Sequence, residues 1–391
     1  MKEFIFNIYF ILVIFFCILL NGCIVEWEAK DTDEVEGILA VEGLITDNES
    51  VITLSRSKGI SYKNDPKDLR SPYRVTDAKV SIECDDGMVW AATGQKLEEY
   101  TIETGKLNPE RQYRLKIEFE EHEYHSEFAY PMMTPEIDSV FWMKQGSHVN
   151  IYVASHAPDS IVQYYSWAFH EDWEYSSNLD GDHPFNPFYP DGFPFFCWDK
   201  AVGKELLLGS SEKTVSGKIT NQLTEILMWD DKLSILYRIE VGQNAIRKRA
   251  YDYFENIKKN AEKTGNLFSP VPAELKGNII CTTDPARPVI GYIEVSSTTQ
   301  KKLLINSHDS DGVYIRPIVK GCETIPRNLF FISSYYIQMY GGVIPDWFIV
   351  WDWEMDDLGK PTPIGYVDIN CVDCTLKGGT TQKPADWPND H

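Results

Sequence analysis

The chain has 391 residues, of which 43% are hydrophobic and 13% aromatic, and its formal net charge at pH 7 is −22. This length suffices for two domains, and the apolar content excludes a disordered or low-complexity chain. The negative charge excludes nucleic acid and anionic lipid head groups as partners, because both repel an acidic surface.

An apolar leader runs from Phe4 to Leu20 and ends in the sequence Leu20-Asn21-Gly22-Cys23. It is short for a membrane-spanning helix, which needs about 20 apolar residues, and a small-residue cleavage site follows it. We therefore predict a lipoprotein signal peptide over residues 1–22, with Cys23 as the lipid-attachment residue that holds the mature chain on a membrane. A cleaved signal without lipid and a retained anchor helix are the alternatives.

The cysteine content favours disulfides. Eight cysteines are present, and six remain when Cys17 of the leader and Cys23 are set aside. An even number in an exported chain favours disulfides, and six cysteines allow 15 pairings. The candidate disulfide cysteines are Cys197, Cys322, Cys371 and Cys374, with Cys322 a favoured partner for one of the last two. Cys84 and Cys281 lie in strand-like runs and are expected to be free, buried thiols.

The first folded region is predicted to be an immunoglobulin-like β-sandwich over residues 37–133. Residues 23–36 before it are acidic and poor in apolar side chains, which predicts a tether. Short alternating runs separated by turn sequences such as Asp85-Asp86-Gly87 are typical of such sandwiches. The predicted strands are Ile38–Ile45, Ser50–Arg56, Ala78–Glu83, Val89–Ala92, Glu99–Thr101, Gln112–Phe119 and His122–Phe128.

The second region, residues 136–391, is predicted to be a larger β-rich domain with one inserted helix. Its clearest strands are Val149–Ala154, Tyr164–Phe169 and Leu303–Asn306. Apolar residues recur at three- and four-residue spacings over about 243–263, which predicts the helix. A basic face on this helix either faces solvent, which is the simpler interpretation, or docks on a partner; its residues are Arg247, Lys248, Arg249, Lys258 and Lys259.

Motifs for catalysis are absent from the sequence. There is no G-x-S-x-G nucleophile elbow and no Gly-rich phosphate loop, so we predict no catalytic residues and no cofactor. His122-Glu123-Tyr124-His125 is one residue shorter than a zincin motif. It also lies in a predicted strand, where successive side chains point to opposite faces, and we therefore predict no metal site.

The segment Tyr164–Trp198 is the best candidate for function, because it is dense in aromatic residues among prolines and Asp-Gly turns. We expect an irregular loop in which aromatic faces beside carboxylates stack on sugars or contact a protein. The alternative is a structural aromatic core under a long loop, stapled through Cys197. The candidate contact residues are Trp167, Trp173, Tyr189, Phe196 and Trp198.

Several short motifs follow the predicted cleavage site in a fixed order. They are Val41-Glu42-Gly43-Leu44-Ile45-Thr46, Ala78-Lys79-Val80, Gly277-Asn278-Ile279, Gly291-Tyr292, Cys371-Val372-Asp373-Cys374, Gly378-Gly379-Thr380 and Pro384-Ala385-Asp386-Trp387-Pro388. In this order they resemble one family, the Bacteroidota outer-membrane lipoproteins of domain-of-unknown-function family 4249. The resemblance spans nearly the whole mature chain, and the family has no assigned catalytic residues to carry over. It implies a lipoprotein of a kind often encoded beside a TonB-dependent receptor.

Together these observations predict a lipid-anchored outer-membrane protein that faces the cell surface. Its expected role is that of an accessory or surface partner of a TonB-dependent transporter in nutrient uptake. A stand-alone glycan-binding surface lipoprotein is the first alternative. An envelope hydrolase and a purely structural envelope protein are two further alternatives.

Overall fold

A computed structural model describes the chain over most of its length. The described residues are 37–57, 74–157, 163–179, 193–263 except 215, 277–308, 312–315, 322, 325–326 and 348–388 except 356 and 360. The predicted signal peptide (1–22), the predicted tether (23–36), Cys23 and Tyr189 therefore lie outside the described residues.

The protein is mainly β, as predicted, and each predicted strand of the first region has a counterpart within a few residues. The first eight strands are β1 (Leu39–Thr46), β2 (Asn48–Arg56), β3 (Lys79–Cys84), β4 (Val89–Ala91), β5 (Gly94–Lys96), β6 (Glu99–Gly105), β7 (Tyr113–Phe119) and β8 (His122–Ser126).

The rest of the described chain adds fourteen strands and a single α-helix. These elements are β9 (Ile137–Gln145), β10 (His148–His156), β11 (Tyr164–Ser176), β12 (Phe196–Val202), β13 (Leu207–Ser210), β14 (Lys218–Leu227), β15 (Leu236–Ala245), α1 (Lys248–Lys263), β16 (Ile279–Cys281), β17 (Val289–Gly291), β18 (Glu294–Ser296), β19 (Thr298–Asn306), β20 (Ile325–Pro326), β21 (Phe348–Met355) and β22 (Pro361–Asp368).

The first β-sandwich consists of two sheets around one apolar core. One sheet has the order β17-β1-β2-β6-β5, with β18 also paired to β1, and the other has the order β16-β8-β7-β3-β4. Alternate residues of β7, from Tyr113 to Phe119, are buried, as expected for a strand with one face on the core. The immunoglobulin-like sandwich predicted for this region is thereby confirmed.

Three strands of this sandwich come from residues 279–296, which the sequence analysis assigned to the second region. Strands β17 and β18 pair in parallel with β1, and β16 pairs antiparallel with β8. Gly291 has φ +152°, and a Cβ atom there would lie 2.5 Å from the carbonyl oxygen of Val41. The close approach of β17 to β1 therefore requires glycine at this position.

The second β-sandwich packs the sheet β14-β10-β9 against the sheet β12-β11-β15-β19, with β13 also paired to β11. Strand β11 has 13 residues and extends the predicted strand Tyr164–Phe169 to Ser176, so this part of the segment expected to be an irregular loop is regular strand. Most β11 side chains are buried on both faces of the sheet. A strand buried on both faces lacks alternating polarity, and for that reason the sequence did not show that the strand continues beyond Phe169.

Helix α1 begins at Lys248 rather than near residue 243, because Gln243 to Ala245 complete strand β15. Its apolar face, which includes Ala250 and Tyr253, packs on Tyr164 of the second sandwich and Tyr292 of the first. The helix therefore covers the place where the two sandwiches meet.

The expected disulfides are present. Cys197 bonds to Cys374, and Cys322, the favoured partner in the sequence analysis, bonds to Cys371. Cys84 and Cys281 are free and buried, as predicted. Because Cys197 lies on β12, its bond ties the C-terminal residues to the second sandwich. The other bond joins Cys322, which precedes the small sheet β20-β22-β21, to Cys371, which follows it.

We expect two reactive thiols, from Cys84 and Cys281, when a chain of residues 24–391 is denatured without reductant and titrated with a thiol reagent. Titration of four or six thiols before reduction would contradict the assignment.

Replacing both Cys197 and Cys374 with alanine should lower the free energy of unfolding by about 2–5 kcal/mol, because the unfolded chain loses a constraint. Urea denaturation would measure this loss, with Cys281→Ala as the control that leaves both disulfides intact.

Candidate functional site

The structure does not bring the predicted contact aromatics together on one surface. Trp167 and Trp173 are 4% and 9% exposed and belong to the core of the second sandwich. Phe196 is 48% exposed at the start of β12, and Trp198 on the same strand is half-buried. The two buried tryptophans therefore fit the alternative prediction, in which the aromatic residues of this segment form a structural core.

Trp167 is fixed by hydrogen bonds inside the second sandwich. Its Nε1 donates to Oε1 of Gln243 over 2.8 Å, and the Ser155 hydroxyl donates to the same oxygen over 2.5 Å. The Tyr165 ring stacks on the indole with a centroid distance of 5.7 Å. These contacts orient Trp167 as a core side chain.

A buried carboxylate lies near Trp173. Glu171 accepts a hydrogen bond from the Tyr237 hydroxyl over 2.7 Å and pairs with Lys232 Nζ over 2.8 Å. Burial raises the pKa of Tyr237 well above its ordinary value, so this phenol stays protonated and donates. The Lys232 ammonium lies 4.8 Å from the centre of the Trp173 ring, which adds a cation–π contact.

Glu171 lines a polar cavity of about 730 Å³ in the second sandwich. Strand β14 contributes amides, a hydroxyl and a carboxylate, and the Phe169 ring supplies an aromatic surface; the β14 residues are Asn221, Gln222, Thr224 and Glu225. Such groups donate and accept hydrogen bonds in several directions, as a polyhydroxylated ligand requires. We call this space the polar cavity.

A second cavity, of about 490 Å³, lies where both sandwiches meet α1, and we call it the junction cleft. Its walls are mainly apolar and come from β1, β11, β15, the loop before β13, α1, β17 and the turn that follows β17. The aromatic side chains of α1 and of this turn are Tyr253, Phe254 and Tyr292. Burial raises the pKa of Tyr292 to about 12, so its hydroxyl is neutral at physiological pH.

The two sandwiches are joined by a hydrogen-bonded seam formed by Thr134, Ala245, Ser296 and Ser297. The Thr134 amide donates to the Ser297 hydroxyl over 2.9 Å, and the Ala245 amide donates to Oγ1 of Thr134 over 2.8 Å. Oγ1 of Thr134 also lies 3.1 Å from Oγ of Ser296. One threonine thereby connects the end of β15 with the end of β18.

Two arginines of the predicted basic face hold the start of α1 on the first sandwich. Arg247 forms an ion pair with the buried carboxylate of Glu294, and Nη1 of Arg249 lies 2.8 Å from Oε2 of Glu127. These residues therefore contact protein rather than solvent alone. The spacing of the basic residues could not predict these two ion pairs, because both acidic partners are remote in sequence.

The strand pairings give the molecule two ends. Strand β1 begins at Leu39 and reaches the seam at Thr46, which pairs with Ser296. Strand β19 leaves the seam at Thr298 and ends at Asn306. We call that end of the second sandwich the distal end, and its paired residues are Asn306 with Leu236, Leu236 with Glu174, and Ser176 with Phe196.

The C-terminal segment docks beside the distal end. The Arg238 guanidinium lies 2.8 Å from Asp172 and 2.9 Å from Asp386, and it holds the pKa of the Asp386 carboxyl below its usual value. Nε1 of Trp387 donates to Oε2 of Glu174 over 2.8 Å. This arrangement gives the predicted Pro384–Pro388 motif a structural role.

Some apolar side chains remain exposed at the distal end. Phe196, Leu376 and Trp229 are 48%, 51% and 45% exposed. Nζ of Lys377 lies 2.9 Å from Oδ2 of Asp231, which brings the turn with Leu376 beside the turn that follows Trp229. Exposed aromatic and aliphatic side chains of this kind are typical of contact surfaces between proteins.

Within the described ranges, no group of three or more His, Cys, Asp or Glu side chains is placed to hold a metal ion. In the HEYH motif, Tyr124 points into the first core, and His122 contacts Thr283 and Arg287 instead. None of the helices in the described part of the chain is both long and apolar enough to cross a membrane.

Sequence reasoning missed the residues that line both cavities. Tyr253 and Phe254 belong to the apolar positions that predicted the helix. Tyr292 lies far along the chain, and no sequence pattern indicated that it contacts them. The β14 polar residues lie on a strand that the sequence analysis did not identify.

Comparisons with known proteins give a family and no closer relative. The family described as "Domain of unknown function (DUF4249)" matches residues 26–302 of the 391. No curated protein matches the chain.

Solved structures with some similarity include a two-domain fibronectin type-III segment of chicken tenascin, at 8% identity and a TM-score of 0.15, covering 54% of this chain and 91% of that one. Another contains the manganese lipoxygenase of Gaeumannomyces graminis and part of the zonadhesin of Komagataella pastoris, at 9% identity and a TM-score of 0.17, covering 55% and 90%. These scores are too low to inform the function of this chain.

We expect the buried Glu294 to make stability depend on pH. Burial raises its pKa above the ordinary glutamate value, despite the opposing effect of Arg247, so the folded chain keeps this proton at higher pH than the unfolded chain. Its contribution to stability is therefore present near the unfolded pKa and is lost as the pH rises through the folded pKa.

This effect can be isolated with Glu294→Gln. The free energy of unfolding of the wild type minus that of the variant should fall as the pH rises from about 4.5 to 8. Urea denaturation at a series of pH values measures the difference. A difference that rises with pH would show instead that the ion pair with Arg247 outweighs burial.

Proposed function

Because this chain belongs to the family of domain of unknown function DUF4249, we propose that it is an outer-membrane lipoprotein, of the Bacteroidota type that its sequence resembles. We further propose that it serves as an accessory surface partner of a TonB-dependent transporter in nutrient uptake. The leader that ends at Cys23 supports the lipid anchor. The two disulfides support an oxidising, exported location.

The observation that carries the proposal is the separation of the two ends of the molecule. The chain enters the first sandwich at Leu39, and the exposed apolar side chains of the distal end lie on the other side of the seam. Strand β19 has 9 residues, and at about 3.3 Å per residue it spans roughly 30 Å from the seam to the distal end. A lipid at residue 23 would thus hold one end while the other contacts a partner.

The candidate loop of the sequence analysis fits this arrangement. Strand β11 ends at Ser176 and β12 begins at Phe196, so both ends of the connection between them lie at the distal end. In this proposal the first sandwich is the spacer and the distal end is the contact surface for the transporter.

We expect the tagged lipoprotein, extracted from outer membranes in mild detergent, to co-purify with a stoichiometric TonB-dependent receptor. Phe196→Asp should reduce the receptor yield at least about fivefold, because a buried charge replaces an aromatic contact. Val202→Asp is the matched control, since Val202 is 70% exposed at the other end of the same strand. Recovery of the lipoprotein without receptor, from membranes shown to contain receptors, would contradict the proposal.

Glycan binding is the second candidate function, and the polar cavity favours it. Its amides, carboxylates and the Phe169 ring are the groups that bind sugar hydroxyls and sugar faces. Trp173, a candidate in the sequence analysis, is a poor probe of this function because its removal would disrupt the core of the second sandwich.

We expect glycan binding, if it occurs in the polar cavity, to weaken about two- to tenfold in Asn221→Ala and in Gln222→Ala, since each loses a hydrogen bond. Gln300→Ala, which removes an exposed amide on β19 outside the cavity, is the control. Isothermal titration with glycans selected on an array measures the affinities. Equal affinity of all three variants and the wild type would exclude this cavity as the glycan site.

A further inference from the structure

We propose that the junction cleft binds a small, uncharged and largely apolar molecule that carries a hydrogen-bonding group. This site lies apart from the transporter contact and shares only Lys204 and Glu205 of its lining with the polar cavity, and it does not depend on either proposed function. The volume of about 490 Å³ lies within the range of about 300–1,000 Å³ that small-molecule sites occupy, and such sites are often found between domains.

The walls of the cleft are preorganised for an apolar ligand. The Tyr253 and Tyr292 rings lie 5.5 Å apart between centroids, and the Tyr253 and Phe254 rings 5.7 Å apart. Leu206 and Ile290, at 37% exposure each, also line the cleft and are open to water. A ligand that covers these aliphatic side chains would gain the free energy of removing apolar surface from water.

The cleft contains buried polar atoms without a hydrogen-bond partner in the described part of the chain, one of which is Oγ of Ser166. Ser166 lines the cleft and is only 9% exposed, and its Oγ has no hydrogen-bond partner among the described residues. A buried hydroxyl without a partner is unfavourable, so a ligand group that hydrogen-bonds to it would be favoured. The unpartnered Ser166 hydroxyl therefore gives the cleft a specific polar contact for a ligand, which a gap between packed domains would not need.

The charges at the cleft favour a neutral ligand. Glu42 and Glu205 line it together with one ammonium group, from Lys204. With two carboxylates to one ammonium in a chain of net charge −22, an anion would be repelled. The mainly apolar walls also make it costly to desolvate any charged ligand.

The position of the cleft depends on contacts that are already formed. Arg247 and Arg249 hold α1 on the first sandwich through Glu294 and Glu127, and the Thr134 hydrogen bonds fix the two sandwiches to each other. The cleft therefore exists before a ligand arrives, which reduces the entropic cost of binding.

Nile red, a neutral dye with a carbonyl acceptor, is the probe for this site. We expect saturable one-to-one binding to the full mature chain from residue 23, made without lipid as Cys23→Ser. Ala168→Trp should weaken binding at least about tenfold, because exposed Ala168 lines the cleft on the same strand as Ser166. Ser166→Ala should weaken it about two- to tenfold by removing the hydrogen bond.

Ile280→Trp is the matched control, since Ile280 is 63% exposed on β16 and does not line the cleft. Its affinity should stay within about twofold of the parent chain. Absence of saturable binding would overturn the proposal, as would equal affinity of the parent, the Ser166→Ala and the Ala168→Trp chains. Loss of binding in Phe196→Asp would place the dye at the distal end and would overturn it as well.

Discussion

The fold depends on the return of one late segment, residues 277–306, to the first sandwich. Its strands β16, β17 and β18 complete both sheets of that sandwich, and after Ser297 the chain continues directly into β19 of the second. The packing is close: a Cβ atom on Gly277 would lie 1.8 Å from the carbonyl oxygen of Gly291. Because β1 pairs with residues far along the chain, the first sandwich closes only after a long loop has closed, which is entropically costly.

This return also creates the seam and the junction cleft. The segment brings Tyr292 under α1 and places Glu294 against Arg247, so the helix is clamped over the boundary between the sandwiches. Thr134, from the connection between the two regions, then satisfies backbone and hydroxyl groups on both sides. The junction cleft and the polar cavity therefore differ in polarity. The cleft is lined mainly by apolar side chains under α1, and the cavity is lined by polar side chains of β14.

The sequence predicted the parts of the fold that have one buried face. Strand β7 alternates perfectly between buried and half-buried residues, and its predicted and observed bounds differ by one residue. Strand β11 did not show this alternation, because Glu171, Asp172 and Glu174 are buried among its aromatics and paired by Lys232, Arg238 and Trp387. Those partners are distant in sequence, so the residue pattern of this segment could not predict that its acidic side chains are buried and paired.

The candidate site was only partly predictable, for the same reason. Cys322 was identified as a disulfide partner, but the choice of Cys371 over Cys374 depends on how the C-terminal turns place the two cysteines. Trp167 stood out by its residue type, and its hydrogen bond to Gln243 makes it a core residue. The lining of the junction cleft combines residues of β1, β11, α1 and β17, which only the tertiary structure brings together.

The dependence of the first sandwich on the late segment is best tested by unfolding residues 23–135 alone, which a simple division of the chain would treat as a complete sandwich. We predict no cooperative unfolding transition by circular dichroism, because this fragment lacks β16, β17 and β18. Adding a peptide of residues 277–306 should restore the transition. Cooperative, reversible unfolding of the fragment by itself would show that the late segment is not required.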